Sequence, residues 1–176
     1  MQLILPWRAG PASYQAAFQD IEVEKPERCP HCGCNKFHKW GKYKRYVIEE
    51  DVEHIISIQR IRCVKCRRTY SYLPSFCISG ICYGLDFVLR ILQALLLKKE
   101  LALDKIRRRG FAFLRRFVQL ESLWLIFLRA SGVGAVPADK RGRLRKILET
   151  LLEFHRNRNL LASFLQETGR HFLSVK

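Results

Sequence analysis

Acidic residues are scarce in this chain: across 176 residues, 16 Asp and Glu stand against 32 Lys and Arg. The net charge is therefore +16, with a pI near 10.0. A basic n-region is also missing. The opening Met-Gln-Leu-Ile-Leu-Pro-Trp carries no cation, and Pro6 breaks its apolar stretch, so it does not read as a secretory signal. Long apolar runs are missing too. Residues 85–97 contain Arg90, and residues 111–128 contain Arg115, Arg116 and Glu121. A membrane helix needs roughly 20 residues nearly free of charge. Internal repeats and low-complexity tracts are absent, which excludes repeat arrays and biased tails.

What is present suits one compact domain or two small ones, since 48% of the residues are apolar. The charge is unevenly spread. Residues 1–80 hold 13 Lys/Arg and 8 Asp/Glu, net +5; residues 81–176 hold 19 and 8, net +11. Such a surface attracts polyanions, of which nucleic acid is the commonest. A solubility surface is the plainer alternative. An anionic membrane is a poorer fit, because the cations do not gather on one long amphipathic helix.

Seven cysteines make an odd number, and four fall into two C-x-x-C pairs. In a chain without a secretory signal this favours a metal site in a reducing compartment, the cytoplasm, over disulfides. The pairs are Cys29-Pro-His-Cys32-Gly33 and Cys63-Val-Lys-Cys66-Arg67. Each tight turn presents two thiolates to one side of an ion, and four thiolates suit Zn²⁺. Gly33 stands where positive φ is commonly required; Arg67 holds the matching place in the second pair. Because all four positions are cysteine, the site is closed and structural. A pair of redox dithiols would need a βαβ context, which is missing. Cys34 is a weaker candidate ligand. Cys77 and Cys82 read as small buried residues; His31 and His38 could be ligands only if a cysteine were displaced, His31 reading as exposed; His54, His155 and His171 read as packing or surface residues.

Residues 29–74 read as three to four short antiparallel strands: 36–40, 43–48, 55–61 and 69–73, with an acidic turn at 49–51. Ahead of them lie a short apolar lead at residues 3–5, a turn of helix near Tyr14, and the acidic stretch with Glu22, Glu24 and Glu27. After Pro74 the period becomes helical, with Leu85, Val88, Leu89, Leu92, Leu95 and Leu96 on one stripe. Further helices are expected over 101–109, 111–119, 122–130 and 160–167, and a fifth after the glycine-containing linker at 131–137, with Leu144, Ile147, Leu148, Leu151 and Leu152 on one stripe.

Within the helical part, residues 101–119 fit a helix-turn-helix. Its first helix covers 101–108, the turn is Arg109-Gly110, and the reading helix covers 111–119. Leu103, Ile106, Leu114, Phe117 and Val118 form the expected seam. Arg115, Arg116 and Gln119 then face base edges or phosphates, and Arg107, Arg108 and Arg109 the backbone. An ordinary basic hairpin gives much the same pattern, and Phe111 and Phe113 lack the small polar character of a helix cap. A second cluster, Lys140, Arg141, Arg143, Arg145 and Lys146, either clamps a phosphate backbone or is a solvated helix start. A positive first turn opposes the helix dipole, which favours an anionic partner there.

The motifs Cys29-Pro-His-Cys-Gly, His38-Lys-Trp-Gly, Gln59-Arg-Ile-Arg-Cys-Val-Lys-Cys-Arg-Arg-Thr-Tyr-Ser and Leu73-Pro-Ser-Phe resemble an uncharacterised bacterial family. That family consists of zinc-ribbon proteins related to insertion-sequence transposases. In those transposases a ribbon with R-x-x-C-x-x-C-x-R-T-(F/Y) precedes a helix-turn-helix. The resemblance covers about residues 1–130 and is most specific at 29–76. It implies zinc on Cys29, Cys32, Cys63 and Cys66 and DNA on the helical part; a chain of this kind acts either with a transposase as partner or as a stand-alone regulator. Arg67 departs from the usual glycine. The resemblance does not reach a catalytic domain, which would need clustered carboxylates holding two metals. Asp20, Asp51, Asp86, Asp104 and Asp139 are scattered, and none ends a buried strand in a ribonuclease-H-like pattern.

The expected architecture is therefore α+β: a zinc ribbon with its N-terminal extension over 1–80, a helix-turn-helix over 81–130, and a linker with C-terminal helices over 131–176. The expected function is zinc-dependent DNA binding, as a transposase-related accessory or regulator and not an enzyme. The alternative is a protein–protein interaction module using the acidic stretch and a Trp124–Phe127 face. An enzyme is disfavoured for want of a nucleophile–base pair or an open metal site.

Overall fold

A computed structural model describes residues 2–7, 9–50, 52–97, 107–157, 159–169 and 172–173. The chain is α+β and divides into two compact units, Met1–Cys77 and Ile78–Lys176.

The first unit is built on a four-stranded sheet. Its strands are β1 (Gln2–Leu5), β2 (Phe37–Glu49), β3 (Val52–Cys63) and β4 (Thr69–Pro74), in the order β1-β4-β3-β2. β2, β3 and β4 are antiparallel neighbours, as the short connections between consecutive strands allow. β1 corrects the all-antiparallel expectation. The apolar lead pairs parallel to β4, with Gln2 opposite Ser71 and Leu5 opposite Pro74. Its Leu-Ile-Leu run does not alternate, so no period-two pattern signals a strand there. The pairing is locked by Ser75, whose Oγ donates to the Trp7 carbonyl at 2.7 Å and accepts from the Trp7 amide at 3.0 Å.

The two strands expected at 36–40 and 43–48 are one strand, β2. Gly41 does not end it; with φ at +75° it forms a bulge, across which Lys39 pairs with Ile61 and Lys42 with Gln59. Three steps on β2 thus face two on β3. Helix α1 (Pro11–Ala17) lies against the sheet. Its Tyr14 is buried edge-on to Trp7, Phe18 and Phe76, among Val47, Ile56, Ile58 and Leu73. The Tyr14 hydroxyl donates to the Ser57 carbonyl at 3.1 Å, and Gln15 accepts from the Ser57 amide at 2.7 Å.

The second unit holds α2 (Leu85–Leu97), α3 (Arg107–Gln119), α4 (Glu121–Ala130), α5 (Lys140–Asn157) and α6 (Leu160–Thr168). Trp124 is its centre. Its ring contacts Phe117, Phe164 and Phe172 with centroids 4.5–5.3 Å apart, and its Nε1 donates to the Phe117 carbonyl at 2.8 Å. Trp124 and Phe127 are fully buried, so they are core and not the docking face expected of them. Asn159 caps α6 by accepting from the Ala162 amide, and Gly169, with φ at +65°, ends it.

The expected turn at Arg109-Gly110 is not formed: α3 runs without a break from 107 to 119. Gly110 serves close packing instead. A Cβ there would lie 3.0 Å from Ile91 Cγ2 and 3.3 Å from Leu95 Cδ1 of α2. Leu103, Ile106 and the rest of the expected first helix up to residue 106 lie outside the described residues, as do Asp51 and Asp104. Among the described residues no helix is long and apolar enough to cross a membrane.

Candidate metal centre

Cys29 and Cys32 come from the loop before β2; Cys63 ends β3, and Cys66 lies in the turn to β4. The β2–β3 ladder pairs Phe37 with Cys63, which brings the two C-x-x-C turns together from 31 residues apart in sequence. Each turn closes in the same way. The amides of Gly33 and Arg67 donate to the carbonyls of Cys29 and Cys63 at 2.9 and 3.1 Å. The Cys29 and Cys63 amides donate to the carbonyls of Cys34 and Arg68 at 2.8 and 3.0 Å. Gly33 has φ at +71° and Arg67 at +61°. The second turn thus forces a non-glycine residue into the left-handed region, at a cost of about 1–2 kcal/mol. Arg62 braces that turn by donating from Nε to the Arg67 carbonyl at 2.9 Å.

The four sulfurs lie within 4.8 Å of one another, with Cys29 to Cys66 at 3.7 Å and Cys32 to Cys63 at 3.6 Å. An ion bonded tetrahedrally to four sulfurs at about 2.3 Å requires edges of about 3.8 Å. The donor set and its spacing therefore fit a metal ion. Cys34 stays outside the cluster and accepts from the Lys36 amide at 3.4 Å. Cys77 is buried as expected, and burial pushes its thiol up to about 12. Cys82 is exposed, contrary to expectation.

One partner of the site went unread in the sequence. Tyr70 on β4 is fully buried, and its hydroxyl lies 3.0 Å from Cys29 Sγ. Burial alone pushes the Cys29 thiol up. The Tyr70 hydroxyl and the turn amides of His31 and Cys32 outweigh it and bring the thiol down to about 6. Cys63 moves the other way: the Cys66 amide lowers it, but burial and the neighbouring Cys32 sulfur raise it. Tyr70 itself is raised, by burial and then by Cys29. The only sequence signal for this role was the Thr-Tyr that follows the second pair.

Residues 29–108 match a family described as Domain of unknown function (DUF6431). The DUF6431 match begins on the first cysteine of the site, takes in all four, and ends at the start of α3. No curated protein and no solved structure matches the chain.

The basic residues of the second unit fall into distinct groups. Arg115, Arg116 and Gln119 are exposed on α3, while Phe113 and Phe117 are buried. The side chains of Arg107, Arg108 and Arg109 lie outside the described residues. On α5, Lys140, Arg141 and Lys146 are exposed. Arg143 and Arg145 are engaged within the unit. Arg143 Nε pairs with Glu121 at 2.7 Å, and its Nη1 donates to the Ala138 carbonyl. Arg145 Nε donates to the Leu96 carbonyl at 3.1 Å, at the C-terminal end of α2. Asp139 caps α5, accepting from the Gly142 amide at 2.6 Å, and so offsets the positive first turn.

Proposed function

We propose that this chain is a zinc-dependent DNA-binding protein, a transposase-related accessory or regulator with no catalytic domain of its own, working in the cytoplasm. The observation that carries the reading is the exposed edge of α3, where Arg115, Arg116 and Gln119 stand free of the core on a chain of net charge +16. Arginine and glutamine are the side chains that grip guanine and adenine edges with two hydrogen bonds. Gly110 seats α3 closely on α2, the rigid backing a reading helix needs. Four cysteine thiolates in a closed tetrahedron suit zinc. It orders the ribbon and carries no reaction. The ribbon motifs that resemble those of insertion-sequence transposases support a transposase as partner.

Two of the aspartates are engaged within the second unit. Asp86 accepts from or pairs with His155 Nε2 at 2.9 Å, and that contact holds its carboxyl below the ordinary range. Asp139 is a helix cap. An interaction module has less beneath it, because Trp124 and Phe127 are core.

The test is a binding titration on a selected duplex and a scrambled one at several salt concentrations. Arg116→Ala should cost about 1–3 kcal/mol on the selected duplex and less on the scrambled one. Arg141→Ala should weaken both alike and flatten the salt dependence by about one unit of slope. Equal losses on both duplexes for Arg115→Ala and Arg116→Ala would remove the reading-helix assignment.

A further inference from the structure

The sheet face that carries Tyr43 and Ile58 changes character along its length. Paired residues share a face, and neighbours along a strand alternate. From Ile58 towards the tip of the β2–β3 hairpin this face is core, where Val47, Ile56 and Ile58 join Leu73 and Tyr14. Towards the cysteine site it turns polar. There Arg60 pairs with Ser71 and Ser71 with Gln2, while Arg62 pairs with His38 and Thr69. All six are half-buried or exposed.

Trp40, at the bulge, belongs to this polar half-face. The Arg62 guanidinium lies 4.2 Å from its ring centroid, and Trp40 is still 43% exposed. Arg60 stacks likewise on Tyr43, at 5.5 Å. Neither arginine forms an ion pair among the described residues. A guanidinium stacked on an aromatic ring keeps its charge and holds the ring in place. Arg67 and Arg68 are exposed in the knuckle turn that Arg62 braces, and they extend the positive surface. Acids are missing from this end of the sheet. Residues 29–48 and 54–85 contain no Asp or Glu, and Glu49, Glu50 and Glu53 gather at the hairpin's opposite tip.

We propose that this half-face binds single-stranded nucleic acid, with a base stacked on Trp40 and the phosphates drawn to Arg60, Arg62 and the knuckle arginines. The exposed indole offers a π-face, and unpaired arginines beside it offer charge, the two things a single strand needs. A duplex keeps its base faces inside the stack and has no use for the indole. An acidic peptide would use the cations alone. The site is separate from α3 and does not rest on the reading of that helix.

The experiment uses the full zinc-loaded chain at about 0.15 M salt, which suppresses diffuse attraction. Anisotropy follows a labelled strand of about ten nucleotides, against an abasic strand of equal charge. DNA and RNA strands are both titrated, and the tighter one identifies the source. Wild type should bind the base-bearing strand about tenfold more tightly than the abasic one. Trp40→Leu should abolish that preference. Tyr46→Leu changes an aromatic of β2 that is 57% exposed on the opposite face, and should leave the preference intact. The strand should also quench tryptophan emission in wild type and not in Trp40→Phe, a readout that survives if Trp40→Leu fails to fold. Equal wild-type affinity for the two strands, equal effects of Trp40→Leu and Tyr46→Leu, or quenching that persists in Trp40→Phe overturns the proposal. Displacement by a polyglutamate peptide as effective as by unlabelled strand assigns the face to an acidic protein and overturns it too. Arg116→Ala should leave the preference for bases unchanged, so failure of the α3 reading is seen separately.

Discussion

At Cys29 a single buried hydroxyl decides how the sulfur behaves. Tyr70 donates to it when it is a thiolate, so the tyrosine orients the ligand and favours its charged form. Tyr70→Phe keeps the ring against Phe37 and removes only the hydroxyl. It should leave the unit folded and lower metal affinity about 10-fold to 100-fold, measured by competition with a chromogenic chelator. Unchanged affinity would mean that the hydroxyl serves packing alone. Cys63→Ser removes a ligand and should abolish metal binding and unfold the loops, because a structural zinc supplies folding free energy on the order of 10 kcal/mol. Elemental analysis should find one zinc in wild type and none in this variant. A wild-type unit that keeps its fold after chelation would contradict a structural role. The same linkage predicts metal loss on acidification, since protons compete for thiolates.

At the scale of elements, Gly110 shows how one residue type supports two readings. Glycine between basic residues reads as a turn in sequence, yet here it is the contact point of two helices. Gly110→Leu should destabilise the second unit by about 1–3 kcal/mol, because Ile91 and Leu95 already fill the space. A denaturant titration followed by far-ultraviolet dichroism measures this. A stabilised variant would place the α2–α3 contact elsewhere. Gly41 is the counterpart in the sheet: it bends β2 without ending it and sets Lys39 and Lys42 side by side. On α5 the arginines that look alike in sequence divide by neighbour. Arg143 answers to Glu121 and Arg145 to the end of α2, which leaves Arg141 and Lys146 to solvent.

At the scale of the whole molecule, positive charge is carried by two units with different architectures. Salt should therefore weaken nucleic-acid binding steeply, whichever unit is engaged. Purified protein supplied with Mg²⁺ or Mn²⁺ should neither nick nor join DNA, since Asp86 and Asp139 are committed to His155 and to the α5 cap. The assay is conversion of supercoiled plasmid. Strand transfer abolished by Asp86→Ala or Asp104→Ala would refute the non-catalytic reading.

The four-cysteine cluster was legible in the sequence because C-x-x-C turns are local: the cysteines are three positions apart, and two backbone hydrogen bonds within six residues close each turn. The α+β order and α2, α4 and α6 were legible for the same reason, since apolar periodicity and caps act within a few residues. The tertiary structure alone decided contacts between distant segments. The parallel pairing of residues 2–5 with β4, the Tyr70 hydroxyl on Cys29, the packing of Gly110 on Ile91 and the setting of Lys39 and Lys42 opposite Ile61 and Gln59 each join parts of the chain that carry no mutual signal. A side chain's partner across a fold depends on register and packing, and a one-residue bulge is enough to move a lysine from one face to the other.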